Sequence, residues 1–242
     1  FWKTSMERRK CNAALTSVLG GMAMAPLVPA TSAHALGLAD LTSADASQGV
    51  KVALEKGALA AVGQLGQTDG FLGNPKVRIP LPGYLEDAAK LMRTLGQGKR
   101  IDELVTTMNR AAEQAVPMAS KLLVDAVKSM SVTDAKNILA GGDTAATDFF
   151  SAKTRAPLAA QFLPVVTQAT EKTGLAAQYN SIAGKAAGMG LLKKEDANIQ
   201  QYVTGKALDG LFLMIAEEEK KIRQDPVGSG SAVLKKVFGA IK

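Results

Sequence analysis

Ala207-Leu208-Asp209-Gly210-Leu211-Phe212-Leu213-Met214-Ile215-Ala216-Glu217-Glu218-Glu219-Lys220-Lys221-Ile222-Arg223 decides the fold class of this chain. Leu208, Leu211, Phe212, Ile215 and Ile222 recur at the three- and four-residue steps that gather side chains on one face of an α-helix. Glu217 with Lys221, and Glu219 with Arg223, stand four residues apart in the acidic-first order that supports a helix. The run closes at Asp225-Pro226, and beyond Gly228-Ser229-Gly230 a short amphipathic tail is expected over 233–241.

Outward from that stretch the same periodicity repeats, and strand signals are almost absent. Val50, Leu54, Ala58, Ala61, Val62 and Leu65 predict a helix over 43–65 with Gly66 to stop it. A helix over 84–95 ends at Gly96-Gln97-Gly98. Ile101, Leu104, Val105, Met108, Ala112 and Ala115 define the next, which Pro117 kinks or restarts toward Leu122, Ala126 and Met130. Ser131-Val132-Thr133-Asp134 spells a capping box with Asp in place of Glu. Gly141-Gly142 closes that helix, and Asp143 is the expected cap of the one running through Phe149 and Phe150. Pro157 and Pro164 suit helix starts or kinks, and a further helix is expected over 175–187, followed by Gly188-Met189-Gly190.

One segment breaks the pattern. Residues 68–82 contain Asp69-Gly70, Asn74-Pro75 and Ile79-Pro80-Leu81-Pro82, whose prolines forbid a helix, so a long loop is expected there. The expectation is an all-α single domain over 36–242, an irregular bundle of about eight to ten helices without internal repeats. The stretch 190–196 reads as a loop within it.

The amino end reads differently. Met6-Glu7-Arg8-Arg9-Lys10 is basic, residues 13–30 carry no charge, and Thr31-Ser32-Ala33-His34-Ala35 follows. This is the layout of a signal peptide over 1–35, with cleavage after Ala35. Gly20-Gly21, Pro26 and Pro29 interrupt the apolar run, which argues against a permanent span needing about 20 apolar residues. Residues 1–5 precede a plausible initiator, Met6, and read as upstream or precursor sequence. Arg8-Arg9 fits twin-arginine export as well as the general route. The expected location is the bacterial periplasm, or the thylakoid lumen if the sequence is a piece of a longer organelle precursor.

Removing such a leader reshapes the chemistry. Of 29 Lys+Arg and 22 Asp+Glu, four basic residues and one acidic residue lie before Leu36, so the net charge falls from +7 to +4. No like-charge block is long enough to follow a phosphate backbone, and the few aromatics form no stacking pattern, so nucleic acid is not an expected partner. His34 and Cys11, the one His and the one Cys, both lie in the leader. Residues 36–242 therefore contain no imidazole or thiol for a Ser-His-Asp or Cys-His relay, for the usual zinc sites, or for disulfides. No catalytic residue, metal site or cofactor is expected. Gly184-Lys185-Ala186-Ala187-Gly188 is no phosphate loop, because its Lys is misplaced and no strand precedes it.

A resemblance covers almost all of this region. The loop Asp69-Gly70-Phe71-Leu72-Gly73-Asn74-Pro75-Lys76-Val77-Arg78-Ile79-Pro80-Leu81-Pro82, the run Met108-Asn109-Arg110-Ala111-Ala112-Glu113-Gln114-Ala115-Val116-Pro117, the stretch Gly141-Gly142-Asp143-Thr144-Ala145-Ala146-Thr147 and the opening helix together resemble the bacterial domain-of-unknown-function family 4197. The resemblance implies an exported helical protein and transfers no functional residue.

Two constellations are candidates for a site. Asn109, Arg110, Glu113 and Gln114 form a polar group on successive turns of one helix, either a solvated face or an interhelical hydrogen-bond cluster; alternatively Arg110 and Glu113, with Asn109 and facing Lys76 and Arg78 of the long loop, would form a polar pocket for an anionic ligand. The competing expectation is that the prolines and Phe71 pin the loop over an open end of the core. Asp69, Asp125, Asp143, Asp148, Asp209 and Glu217 are the carboxylates available for a hard cation or an acid/base pair, although none falls in a spaced calcium loop. Small residues four apart, as in Gly49-Ala53-Gly57-Ala61, imply closely approaching helices. The functional expectation is a non-catalytic binding or interaction module for an apolar or anionic ligand, the partner being a small molecule or a protein. The alternative is a hydrolase-like enzyme using carboxylate, Arg or Lys groups. No stable membrane span is expected after leader removal.

Overall fold

The computed structural model describes residues 43–171, 174–188 and 198–225, all within the compact unit Leu36–Lys242. The leader, the proposed cut at Ala35, the stretch 190–196 and the tail 233–241 lie outside the described residues. Every regular element described is helical, so the all-α expectation holds: α1 (Ser43–Leu65), α2 (Gly83–Thr94), α3 (Gly98–Ala115), a 3₁₀ turn (Val116–Met118), α4 (Ala119–Lys128), α5 (Val132–Ala140), α6 (Ala145–Glu171), α7 (Gly174–Gly188) and α8 (Ile199–Gln224). Among the described residues no helix is long and apolar enough to cross a membrane.

The core is built on α6 and α8, which run antiparallel: Thr147 meets Glu219, and Arg155 meets Asp209. Phe150, Leu158, Phe162 and Val166 of α6 face Val203, Leu211 and Ile215 of α8 within one continuous buried cluster. Helix α3 adds Leu104, Met108 and Ala112 against α6, and α1 packs on α8 and α4. Residues Gly49, Ala53, Gly57 and Ala61 are all buried, and a Cβ at Gly57 would stand 3.2 Å from Ile222 Cδ1. The small stripe therefore does bring two helices close.

Three local readings need correction. First, α8 begins at Ile199, eight residues before the quoted run, because Asn198 caps it with its side-chain oxygen accepting from Gln201 N–H at 3.0 Å. Gly205, a poor helix former, lies inside it. Second, of the two readings of Pro157 and Pro164, the helix start is excluded and the position within a helix is the one found: both lie inside α6. Both are exposed, so the carbonyls of Lys153 and Ala160 that lose their helical donors sit on the watered side. Third, Asp143 is exposed, and the first turn of α6 is capped from a distance. Glu219 accepts from Ala146 N–H at 3.0 Å and from Thr147 N–H and hydroxyl at 2.9 Å, doing for α6 what an N-cap side chain would do. Arg223 neutralises it at 2.8 Å, as the four-residue spacing predicts, and also donates to Ile138 O at the end of α5.

The other predicted pair differs. Glu217 binds Lys76 of the long loop at 2.7 Å, and Lys221 turns to Glu218 at 2.7 Å. The capping box at the start of α5 forms as read, with Asp134 N–H donating to Ser131 Oγ at 3.0 Å and Ser131 N–H to Asp134 Oδ2 at 2.9 Å. At Pro117 the chain restarts through the 3₁₀ turn.

Candidate functional site

The residues marked by their sequence as a polar cluster do come together with the loop, but they spend their hydrogen-bonding capacity on its backbone. Asn109 is fully buried on α3. Its side-chain oxygen accepts from Ile79 N–H at 2.8 Å, while its amide donates to Ile79 O at 2.9 Å and Val105 O at 2.8 Å. Glu113, one turn further on, is also buried. Its Oε1 accepts from Phe71 N–H at 3.0 Å and Leu72 N–H at 3.1 Å. Its Oε2 receives Arg110 at 2.6 Å, and the second arm of Arg110 reaches Asp69 at 2.8 Å. Donating to Glu113 first, and then to Asp69, holds the Arg110 guanidinium above its ordinary pKa.

This clamp seats an otherwise expensive loop. Asp69 adopts a positive φ of 67°, a conformation that Asp tolerates better than most residues. Phe71 is fully buried and lies against Gly210 of α8, where a Cβ would come within 2.7 Å of its ring. Buried backbone groups in an irregular segment need partners, and Asn109 and Glu113 provide them. Lys76 is tied to Glu217, and Arg78 is exposed. The loop is thus pinned to α3 through its backbone and to α8 through the buried Phe71 ring.

The remaining candidate carboxylates are dispersed. Asp125 pairs with Lys121 at 2.6 Å, Asp209 with Arg155, and Asp148 accepts from Thr144 Oγ1 at 3.3 Å. Among the described residues, no three His, Cys, Asp or Glu side chains gather to hold a metal ion.

A different place is shaped to receive something. Between α6 and α8 lies an open groove of about 730 Å³, walled by Ala152, Ala156, Ala159, Ala160 and Leu163 on one side and by Gly205 and Leu208 on the other. Ser151, Arg155 and Gln201 contribute its few polar groups, and Thr204 also lines it. Ala152, Ala156 and Ala160 fall four residues apart, so one row along α6 presents methyl groups. Gly205 has no heavy atom within 4 Å of where a Cβ would stand, so its missing side chain is open groove rather than a packing contact. Thr204, nearly buried, has its Oγ1 sequestered without a hydrogen-bond partner. The guanidinium of Arg155 lies at one end, bound to Asp209 and 5.6 Å from the centre of the Phe212 ring.

Sequence reasoning overlooked this groove. Its signal was present in the alanines of α6 and in Gly205, but read alone these residues imply only tight packing, and the groove exists because two helices 50 residues apart in sequence leave that face uncovered by the described residues.

No curated protein and no solved structure matches the chain. A family model does, over residues 40–239, which spans the whole described bundle together with the clamp and the groove: the chain belongs to the family described as protein of unknown function (DUF4197).

Proposed function

We propose that this protein is a non-catalytic binding module that holds an apolar or amphipathic small molecule in the groove between α6 and α8. The observation that carries this reading is the groove itself: about 730 Å³, walled by alanine, glycine and leucine, with a few polar groups at its edges. Small-molecule sites commonly have this size and this lining. Gly205 supports it, because a glycine within a long helix costs about 1 kcal/mol relative to alanine and here leaves room rather than a packing contact. The hydrolase-like alternative, using carboxylate, Arg or Lys groups, has its best version in Arg110 and Glu113, and that version is weakened because both bind the loop or each other.

The basic, apolar and small-residue layout of residues 6–35 supports placing this module in an exported compartment, the bacterial periplasm in preference to a thylakoid lumen. On that reading the protein recovered from its own compartment begins at Leu36. Native mass spectrometry of that protein tests the binding proposal: an apolar adduct released on activation supports it, and a consistently ligand-free monomer counts against it.

A further inference from the structure

The groove is not uniform along its length, and its asymmetry points to the class of its occupant. On α6 it runs from Ser151 to Leu163, about 18 Å at 1.5 Å per residue. Because α8 is antiparallel, Leu208 lies toward the Arg155 end and Gln201 toward the Leu163 end. Between them the walls are Ala156, Ala159, Ala160 and Gly205, with no charge. All formal charge on the lining is therefore the Arg155 guanidinium, one turn from the end that also offers the Ser151 hydroxyl.

Arg155 is held in place. Asp209 takes its Nη2 from the α8 side, and the Phe212 ring lies 5.6 Å from its Cζ, so two contacts from the facing helix fix the plane of the guanidinium. A guanidinium carries five donors, and a carboxylate at Nη2 leaves others to bind a second anion. Asp209 is about half exposed and Arg155 nearly as much, so solvent screens both charges of the pair and neither cancels the other's hydrogen-bonding capacity.

From this arrangement, which rests on the groove reading above, we infer that the occupant is a single-chain amphiphile with an anionic head. The head, a carboxylate or a phosphate, sits against Arg155 and Ser151, and the unbranched tail lies along the alanines toward Leu163 and Gln201. The tail is bound by burial of apolar surface and the head by a charge-assisted hydrogen bond, which selects orientation as well as charge.

The test is equilibrium dialysis of the full chain against laurate, monododecyl phosphate and 1-dodecanol at concentrations below micelle formation. The two anions are expected to bind about tenfold more tightly than the alcohol, as one charge-assisted hydrogen bond allows; which anion is tighter separates a free fatty acid from a phospholipid source. Arg155→Gln should bring both anions down to the level of dodecanol and leave dodecanol unchanged. Asp209→Asn keeps an acceptor for the guanidinium but removes the carboxylate that competes with the head group, and should tighten anion binding, with circular dichroism checking that both variants fold. Equal binding of anions and alcohol overturns the head-group inference and leaves the groove reading standing. Equal losses in Arg155→Gln and Asp209→Asn also overturn it, since the pair would then be structural. No binding of any of the three probes removes both readings.

Discussion

The backbone N–H of Phe71 donates to Glu113 Oε1 at 3.0 Å across 42 residues of sequence, and the neighbouring N–H of Leu72 shares that oxygen. One carboxylate thus satisfies two amides of a loop that has no ladder or helix to pair with. Glu113→Ala leaves both amides and the arm of Arg110 without their acceptor. A loss of about 3 kcal/mol is expected in urea unfolding, with protease sensitivity appearing first near residues 69–73. A loss below about 1 kcal/mol would mean that the loop is held mainly by Phe71 and the prolines.

A matched pair of substitutions separates the two readings of the α6 cap. Glu219→Ala strips the acceptor from Ala146, Thr147 and Arg223, and should cost about 3 to 5 kcal/mol. Asp143→Ala, the substitution that the local sequence marks as damaging, should stay within about 0.5 kcal/mol. Thermal melts of the two variants against the parent decide the matter.

What could be read from the residues was whatever depends on near neighbours. The face of Leu208, Leu211, Phe212 and Ile215 is buried as its spacing requires, and Ser131 with Asp134 forms the box that their three-residue separation implies. Distant partners were not legible. Glu219 caps a helix 72 residues away, and Lys76, reaching in from the loop, takes the Glu217 that local spacing assigns to Lys221. The polar group at Asn109, Arg110 and Glu113 could be located from the sequence, as a solvated face, an interhelical cluster or a group facing the loop, and in the structure Asn109 and Glu113 meet the loop. That its partners would be backbone amides rather than a ligand depends on the path of residues 69–79, which periodicity does not describe.

The glycines of α8 should respond in opposite directions. At Gly210 a methyl group would meet the Phe71 ring at 2.7 Å and Val77 Cβ at 3.2 Å, so Gly210→Ala should destabilise by about 2 kcal/mol. At Gly205 the space is empty, and Gly205→Ala should stabilise by up to about 1 kcal/mol through helix propensity while weakening ligand binding in the groove. Urea titrations of both variants give the stabilities, and amphiphile titration of Gly205→Ala gives the functional cost.

Acid should loosen the attachment of the loop to α8 in a defined direction. The hydrogen bond from Lys76 holds the Glu217 carboxyl below its ordinary value of 4.5. A group depressed in the folded state contributes stability that is complete above its ordinary value and is lost as pH falls through the folded one. The stability difference between the parent and Glu217→Gln should therefore be constant above that value and shrink below it. A difference independent of pH in thermal melts would show that the pair contributes nothing to folding.

Methyl NMR on the full chain tests the groove most directly, because its walls are methyl groups. Titration with laurate should shift the methyl resonances of Ala152, Ala156, Ala159, Ala160, Leu163 and Leu208, leave those of the loop clamp side of the bundle in place, and lose its effect in Ala156→Phe, which fills the groove. Shifts that scatter over the surface, fall elsewhere on the bundle, or persist unchanged in Ala156→Phe would contradict binding between α6 and α8.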